Sequence, residues 1–577
     1  MIRSRHSAAI VALLLIAVSG QSPAAISGRV VDDSTGLPIA GALVRVQATE
    51  APTTISNANG EFTLNVSPAG PVNIGAAVAY QHNAPVNYVT NVAFAVDGLT
   101  NVEVRLPRIP AASNASYVPL NASVCAACHT EQHAQWSTSR HAGAARNTWV
   151  LDLYAGTGTP GGSAGYVFKD LHDPGESGFC ASCHAPMEDV FTPGQLAYDA
   201  ISTGPGMDGV SCLGCHQQSH VDDAFINGIA HVNGKVIYRF PDDPDYVTGL
   251  YVYGNLPDVE SGTMRNSLQT QFGQSLICAG CHQYVRPDNG APGQNTYLEW
   301  LSSPYAVAGP NFRSCQDCHM PNEANAGPIA ITAGFDRPAN QRHRHDFVGS
   351  TPTTLSQAIL LRTSASESAG QLLINAEVEN RGAGHSFPAG VSVRNALLVL
   401  DVRANGQPLT QTGGPVVPWY ADDSVPGVQP GDLAGQPGKG FAKVLEGRIN
   451  DQGPVVRPVL FIDAERVAEN TIIPSGATDL SNYAFAIPAD LPVGTEITVE
   501  ARLLYRRAWR ALAVTKGWTE TTSGGPIEIT VAQSQISVLS AGTRATGVPG
   551  PGGLSLLLLA LAMLGIGAAV ATRSRQS

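Results

Sequence analysis

The chain has 577 residues and carries 34 lysine and arginine residues against 46 aspartate and glutamate residues, a formal net charge of −12. This length predicts three or four domains, and the acidic balance, without a basic stripe or a phosphate-binding glycine loop, argues against nucleic-acid binding. Sixty glycines and forty prolines favour turns and β-structure over long helices.

The N-terminus predicts a secretory signal peptide over residues 1–25. Arg3 and Arg5 precede an apolar stretch at 8–18, and the small residues that follow suit cleavage near Ala24. A membrane-anchored N-terminus is the alternative, but the apolar run is short for a span. The mature chain is therefore expected to be exported.

Residues 26–110 predict a first β-sandwich. Segments 26–32, 42–46 and 61–66 alternate apolar and polar residues, and turns rich in Gly and Asn separate them. The order Gly-x-Val, Gly-x-Pro-Ile-x-Gly-Ala-x-Val, Asn-Gly-x-Phe-Thr-Leu resembles the modules related to the regulatory domain of carboxypeptidases, which implies a spacer or adhesion role. His82 stands alone here, so a surface or packing role is expected for it.

Residues 116–350 contain five Cys-x-x-Cys-His motifs. This pattern is typical of covalent haem c attachment, in which two thiols bind the vinyl groups and the adjoining histidine binds the iron. Two intervening residues let one backbone turn present both sulfurs to the porphyrin edge. The sequence therefore predicts five haem c groups, and no catalytic residue. The attachment residues and proximal iron ligands would be Cys125, Cys128 and His129; Cys180, Cys183 and His184; Cys212, Cys215 and His216; Cys278, Cys281 and His282; Cys315, Cys318 and His319.

Zinc is the alternative cofactor, because a single Cys-x-x-Cys pair is often half of a zinc ribbon. Such ribbons use pairs two at a time, however, and five is an odd number. Every pair here is also followed by a histidine, and the chain begins with an export signal. An exported chain would permit disulfides, but the five motifs use all ten cysteines.

The predicted haem domain allows roughly 45 residues per haem, which is too few for a conventional apolar core. The porphyrins must supply much of the buried surface, so short helices, long loops and little sheet are expected, with an apoprotein that is largely unfolded. Each haem that only passes electrons needs a second axial ligand. Outside the signal, His82 and the motifs, eight histidines remain as candidates: His133, His141, His172, His220, His231, His343, His345 and His385.

The segment around residues 116–350 resembles the nitrogen-cycle tetrahaem c-type cytochromes. The likeness is carried by Trp-x-x-Ser-x-His-Ala ending at Ala142, by Cys-Ala-Ser-Cys-His-Ala-Pro and by Cys-Gln-Asp-Cys-His-Met-Pro. It implies that His141 ligates a neighbouring haem, and His345 fits the end of such a domain. His385 lies in a Gly-His-Ser-Phe-Pro loop like one in relatives with a sandwich after the haems. His220 and His231 are weaker candidates.

Residues 352–540 predict a second β-sandwich, because segments 372–380, 396–402 and 496–503 alternate like strands. A linker at 541–553 leads to an apolar run at 554–572, which is followed by Arg573 and Arg575. This run predicts a single C-terminal transmembrane helix with a cytoplasmic basic end. It also resembles bacterial carboxy-terminal sorting tags, so a permanent anchor and a processed tag remain alternatives.

The predicted fold is multidomain: an N-terminal β-sandwich, a haem-packed domain of mostly helix and loop, a C-terminal β-sandwich and one transmembrane helix. The predicted function is an exported pentahaem cytochrome that transfers electrons between redox partner proteins in the periplasm or at the cell surface. One alternative is an oxidoreductase with an open-coordination haem that acts on a small nitrogen or sulfur compound, although pentahaem nitrite reductases carry a Cys-x-x-Cys-Lys motif that is absent here. Another is a subunit of a self-associating extracellular assembly.

Overall fold

The computed structural model describes residues 25–96, 100–222, 235–243, 250–422 and 431–542. The predicted signal peptide, His231 and the apolar run at 554–572 lie outside the described residues, apart from residue 25. Within the described ranges no helix is long and apolar enough to cross a membrane. The predicted fold class is corrected accordingly: the structure shows two sandwiches and a middle region, and it supports no transmembrane helix in the part of the chain that it describes.

The first module packs two sheets against each other. The strand orders are β4-β1-β7 and β3-β2-β5-β6, with β1 antiparallel to β4 and parallel to β7. Phe62 and Leu64 point inward from β4 while their neighbours are exposed, and Val30, Val44 and Ile74 complete a buried core. The described strands are β1 (Ile26–Asp32), β2 (Leu43–Val46), β3 (Thr54–Ile55), β4 (Glu61–Leu64), β5 (Val72–Ala77), β6 (Asn91–Val96) and β7 (Val102–Leu106).

The middle region consists of short helices joined by long loops. Its described helices are four to eight residues long, too short to be stable without tertiary contacts. They are α1 (Ala122–Ala126), α2 (Thr130–Ser137), α3 (Thr148–Tyr154), α4 (Phe168–Leu171), α5 (Cys180–His184), α6 (Pro186–Asp189), α7 (Gly204–Met207), α8 (Cys212–His216), α9 (Leu276–His282), α10 (Thr296–Leu301) and α11 (Cys315–His319).

The described residues of the middle region contain three two-stranded sheets, one of which, β10 with β11, is parallel. The strands are β8 (Gln218–Val221), β9 (Val236–Tyr238), β10 (Leu250–Gly254), β11 (Met264–Leu268), β12 (Tyr284–Val285) and β13 (Pro292–Gln294). Single 3₁₀ turns lie at Ala144–Arg146, Tyr198–Ala200, Thr270–Gly273, Pro304–Ala306 and Ala339–Gln341, and later in the chain at Trp419–Ala421, Ile449–Asp451 and Phe461–Asp463.

The C-terminal module is a larger sandwich. Its sheets have the strand orders β14-β15-β21-β18 and β20-β19-β16-β22-β23, with β17 paired to β16. Leu398, Phe441, Phe485 and Leu503 are fully buried between them. The elements are α12 (Pro352–Ala358), β14 (Ile359–Ser368), β15 (Gln371–Asn380), β16 (Asn395–Ala404), β17 (Gln407–Pro408), β18 (Gln411–Gly413), β19 (Gly438–Glu446), β20 (Arg466–Asn470), β21 (Thr478–Ala486), β22 (Glu496–Arg506), α13 (Arg510–Lys516) and β23 (Glu528–Leu539).

A buried ion cluster fixes the first module to the middle region. Asp258 is completely buried, and its carboxylate accepts a hydrogen bond from the Arg337 guanidinium at 2.8 Å and another from the backbone N–H of Ala48 at 2.7 Å. Arg45 of the first module lies 3.6 Å from the same carboxylate. The Asp258 carboxylate of the middle region therefore interacts with Arg45 of the first module and with Arg337 of the middle region.

The C-terminal sandwich is fixed to the middle region by a second buried cluster. Asp463 accepts hydrogen bonds from His172 Nε2 and from the Tyr166 hydroxyl, both at 2.8 Å. Nearby, the indole rings of Trp149 and Trp518 stack with 4.3 Å between centroids. The middle region is thus held on both sides, so that side chains of the second sandwich can reach the five motifs.

Candidate haem-binding site

The five motifs share one local design, a helical turn that presents two thiols and ends in a histidine. Helices α5, α8 and α11 each run from the first cysteine of a motif to its histidine, and α9 ends at His282. In the first motif, Cys125 lies in α1 and His129 is the cap before α2. None of the ten cysteines forms a disulfide, and Cys318 is the exposed one among them.

Every motif histidine has its Nδ1 atom held by an oxygen or amide group from elsewhere in the chain. A backbone carbonyl can only accept a hydrogen bond, so it fixes the proton on Nδ1 and leaves Nε2 deprotonated and able to bind a metal. Four of the five contacts are of this kind. The contacts are His129 to the Ile329 carbonyl at 2.7 Å, His184 to Ala144 at 3.0 Å, His216 to Tyr253 at 2.8 Å, His319 to Val348 at 2.6 Å, and His282 to the Gln294 side-chain amide at 2.9 Å.

His141 lies opposite the fourth motif histidine. Its ring centroid is 6.2 Å from that of His282, close to the roughly 6 Å expected for two imidazoles on opposite sides of one metal with bonds of about 2 Å. The Nδ1 atom of His141 is buried and has no hydrogen-bond partner. An unpaired buried polar atom is energetically unfavourable and is rare in folded proteins. Burial lowers the pKa of His141 to about 4, so that its ring is neutral and suited to ligation.

His385 lies opposite the fifth motif histidine. The rings of His385 and His319 are 6.4 Å apart with 6° between their planes, and the Ser386 carbonyl holds His385 Nδ1 at 3.0 Å. The side-chain amide of Asn380, at the end of β15, donates to the His385 carbonyl at 2.8 Å and so shapes this loop. A side chain at Gly384 would begin 3.3 Å from Trp300, so glycine allows the loop to approach the middle region.

The other three predicted iron ligands are His345, His220 and His231. Burial, followed by the neighbouring His216, lowers the pKa of His345 to about 4, and its Nδ1 contacts the His343 carbonyl at 2.8 Å. His220 stacks on His82 of the first module with 5.0 Å between ring centroids. His231 lies outside the described residues, and its ligation stays a prediction.

His172 is not available as a ligand. Its Nε2 is hydrogen-bonded to the Asp463 carboxylate at 2.8 Å, and its Nδ1 contacts the Phe168 carbonyl at 3.1 Å. Both ring nitrogens are therefore occupied by contacts that hold the second sandwich in place. Two other less favoured candidates also have partners. Nδ1 of His343 is hydrogen-bonded to the Met320 carbonyl at 2.9 Å. The ring of His133 packs against Trp136 with 5.5 Å between ring centroids.

Thiols of different motifs lie against one another. Three pairs of thiols from different motifs are hydrogen-bonded to each other, and the charge of Cys281 also acts on Cys215. These contacts join all five motifs into one cluster, in which the third and fourth motifs have the most neighbours. The three hydrogen-bonded pairs are Cys125 with Cys212, Cys183 with Cys281, and Cys278 with Cys315.

The supports for the motif histidines were not foreseen from sequence. Four are backbone carbonyls, which every residue carries, so no residue type marks Ile329 or Val348 for this role. Gln294 of β13 is a side-chain support 12 residues after His282, but a lone glutamine outside the motif gives no pattern to search for.

Comparison with known proteins adds three findings. The family model of the carboxypeptidase regulatory-like domain matches residues 25–107, which confirms that part of the predicted organisation. No curated protein matches the chain. A solved penta-heme cytochrome c552 from Thermochromatium tepidum is similar at 20% identity with a TM-score of 0.46, over 73% of this chain and 99% of that one.

Proposed function

We propose that this chain is an exported c-type cytochrome that binds five haem c groups covalently and transfers electrons between redox partner proteins in the periplasm or at the cell surface. The observation that carries this proposal is the common geometry of the motifs: two thiols on a helical turn and a histidine whose Nδ1 is held from outside. A zinc site would need four ligands around one point, and within the described residues no group of three or more His, Cys, Asp or Glu side chains is placed to hold a metal ion.

The residues fit haem in a second respect, because two motif histidines face another imidazole at about the separation that one iron requires. His141 would complete the coordination at His282, and His385 would do so at His319. With two imidazole ligands, haem supplies a one-electron centre that is closed to substrates. The chain's own part is to orient the motif histidines through their Nδ1 atoms, as the Tyr253 carbonyl does for His216.

Clustering of the motifs supports electron transfer as the role. Electrons pass between cofactors only over short distances, and the thiol contacts between motifs bring the attachment points together. Cys125 with Cys212 and Cys278 with Cys315 are examples from the two ends of the cluster. The proposed export rests on the signal peptide predicted for residues 1–25.

The test is low-temperature EPR and optical spectroscopy of the purified holoprotein, with haem quantified per chain. Five low-spin haems would support electron transfer through fully ligated irons. A high-spin haem that binds nitrite, hydroxylamine or carbon monoxide would contradict a pure carrier and favour the oxidoreductase. Loss of haem on denaturation would contradict covalent attachment.

A further inference from the structure

A histidine of the first module and a histidine of the middle region meet at the boundary between these two parts. The rings of His82 and His220 have centroids 5.0 Å apart, with 4° between their planes. His82 is exposed and His220 is half-buried. Within the described residues the His82 side chain forms no hydrogen bond or ion pair, so its ring nitrogens are open to a ligand.

The spacing of these two rings differs from that of the proposed iron-ligand pairs. Those pairs have ring centroids 6.2 and 6.4 Å apart, as two ligands on opposite sides of one metal require. Two imidazoles in neighbouring positions of a tetrahedral metal, with bonds of about 2 Å, have centroids roughly 5 Å apart. The distance between His82 and His220 matches this second arrangement and is too short for two axial ligands of one haem iron.

Glutamine side chains hold the backbone on both sides of His220. The Gln271 side-chain amide donates to the Val221 carbonyl at 2.9 Å, and its oxygen accepts from the Val221 N–H at 2.8 Å. The Gln269 side-chain amide donates to the Ser219 carbonyl. His220 therefore lies on a strand, β8, whose position is fixed before any ligand binds, which lowers the cost of binding one.

The loop that carries His82 is held in the same manner. The Asn87 side chain accepts a hydrogen bond from the Gln81 N–H at 2.8 Å and donates one to the Gln81 carbonyl at 2.9 Å. The Tyr80 N–H donates to the Leu268 carbonyl of β11 at 2.7 Å, which ties the start of the loop to the middle region. Hydrogen bonds on both sides of the boundary therefore set the relative position of the two histidines.

A cavity of about 470 Å³ opens beside the two rings. Its further polar lining comes from amide and hydroxyl side chains, such as those of Asn83 and Thr270. None of the described residues that line it is a cysteine, a motif histidine or an acid. A covalently attached haem is therefore not its occupant, and Ca²⁺ and Mg²⁺, which bind carboxylates, are disfavoured. Imidazole nitrogens suit Zn²⁺, Cu²⁺ and Ni²⁺.

We propose that His82 and His220 together bind one divalent transition-metal ion, such as Zn²⁺, in an open coordination site at this boundary. Two imidazole nitrogens leave the remaining coordination positions to water or to a small ligand in the cavity, as in metal sites that keep an open position. Such a site differs from a closed structural zinc site, which needs four protein ligands. The site uses no haem, so it goes beyond the proposed function.

The experiment is isothermal titration calorimetry of the untagged holoprotein with Zn²⁺, followed by X-ray absorption at the zinc edge. The wild-type protein should bind one Zn²⁺ per chain, with two imidazole nitrogens and lighter oxygen ligands around it. His82→Ala and His220→Ala should each abolish this binding. His133→Ala is the matched control, because His133 packs against Trp136 in the middle region and should leave Zn²⁺ binding unchanged.

Several outcomes would overturn the inference. They are absence of Zn²⁺ binding in the wild-type protein, undiminished binding in His82→Ala or His220→Ala, and an equal loss in His133→Ala. EPR adds a further check, because a low-spin haem that becomes high-spin in His220→Ala would make His220 an iron ligand and overturn the metal site. The haem count of the wild-type protein tests the proposed function separately. Histidine-dependent Zn²⁺ binding to a chain with fewer than five haems would support this inference and contradict the proposed function.

Discussion

Replacing Asp258 by alanine should loosen the first module from the rest of the protein. The Asp258 carboxylate is completely buried, and its main partner, the Arg337 side chain, is only 1% exposed. Removal of the acid leaves that guanidinium buried without a counter-charge, which typically costs about 3–5 kcal/mol. The backbone N–H of Ala48 loses its acceptor as well. The free energy of opening of residues 26–110 should fall by about this amount.

Hydrogen–deuterium exchange measured on peptides from residues 26–110 reports that opening directly. Asp33→Ala is the matched control, because Asp33 is 50% exposed and lies at the 4.0 Å limit from Arg105; such pairs contribute about 0–1 kcal/mol. The double variant Asp258→Ala with Arg337→Met removes both buried charges and should recover much of the loss. Equal exchange in Asp258→Ala and Asp33→Ala would refute the reasoning.

Two further predictions concern the haem ligands and acid stability. His385→Ala should convert one haem of five to high spin by EPR, while His385→Met should keep it low-spin at a higher potential; five low-spin haems in His385→Ala would contradict ligation. Burial acts to raise the pKa of Asp32, but hydrogen bonds from Ser34 and Arg108 outweigh it and hold that pKa well below its usual range. The ionised Asp32 carboxylate therefore stabilises the first module fully at pH values above its pKa in the unfolded chain, which is about 4. This stabilisation is lost as the pH falls toward the lower pKa of Asp32 in the folded module. Asp32→Asn should flatten the acid side of an unfolding–pH profile; an unchanged acid side would contradict this.

The strands of both sandwiches follow from local sequence. Alternation over 26–32 coincides with β1 (Ile26–Asp32), and alternation over 372–380 coincides with β15 (Gln371–Asn380). A period of two residues is a local property, so short windows suffice to detect it. For the apolar run at 554–572, composition suggested a membrane helix; the run lies outside the described residues, and among those residues no helix could cross a membrane.

Only part of the haem-binding site can be predicted from local sequence. The cysteines and His129 are marked by their spacing, but the pairing of His141 with His282 and of His385 with His319 joins residues that are distant in the chain. The pairing of His385 with His319 depends on how the second sandwich docks on the middle region, which is set by contacts such as that of Asp463 with His172. His172 was among the eight candidate histidines but less favoured than His141, and its two hydrogen bonds remove it as a ligand.

The most direct test of the account is the intact mass of the mature protein, combined with alkylation of free thiols under denaturing conditions. The account predicts a mass increase of five haems and no cysteine available for alkylation, because all ten thiols would be bonded to vinyl groups. A chain with fewer haems and alkylated cysteines, or with disulfides between neighbouring motifs such as Cys125 to Cys212, would contradict it.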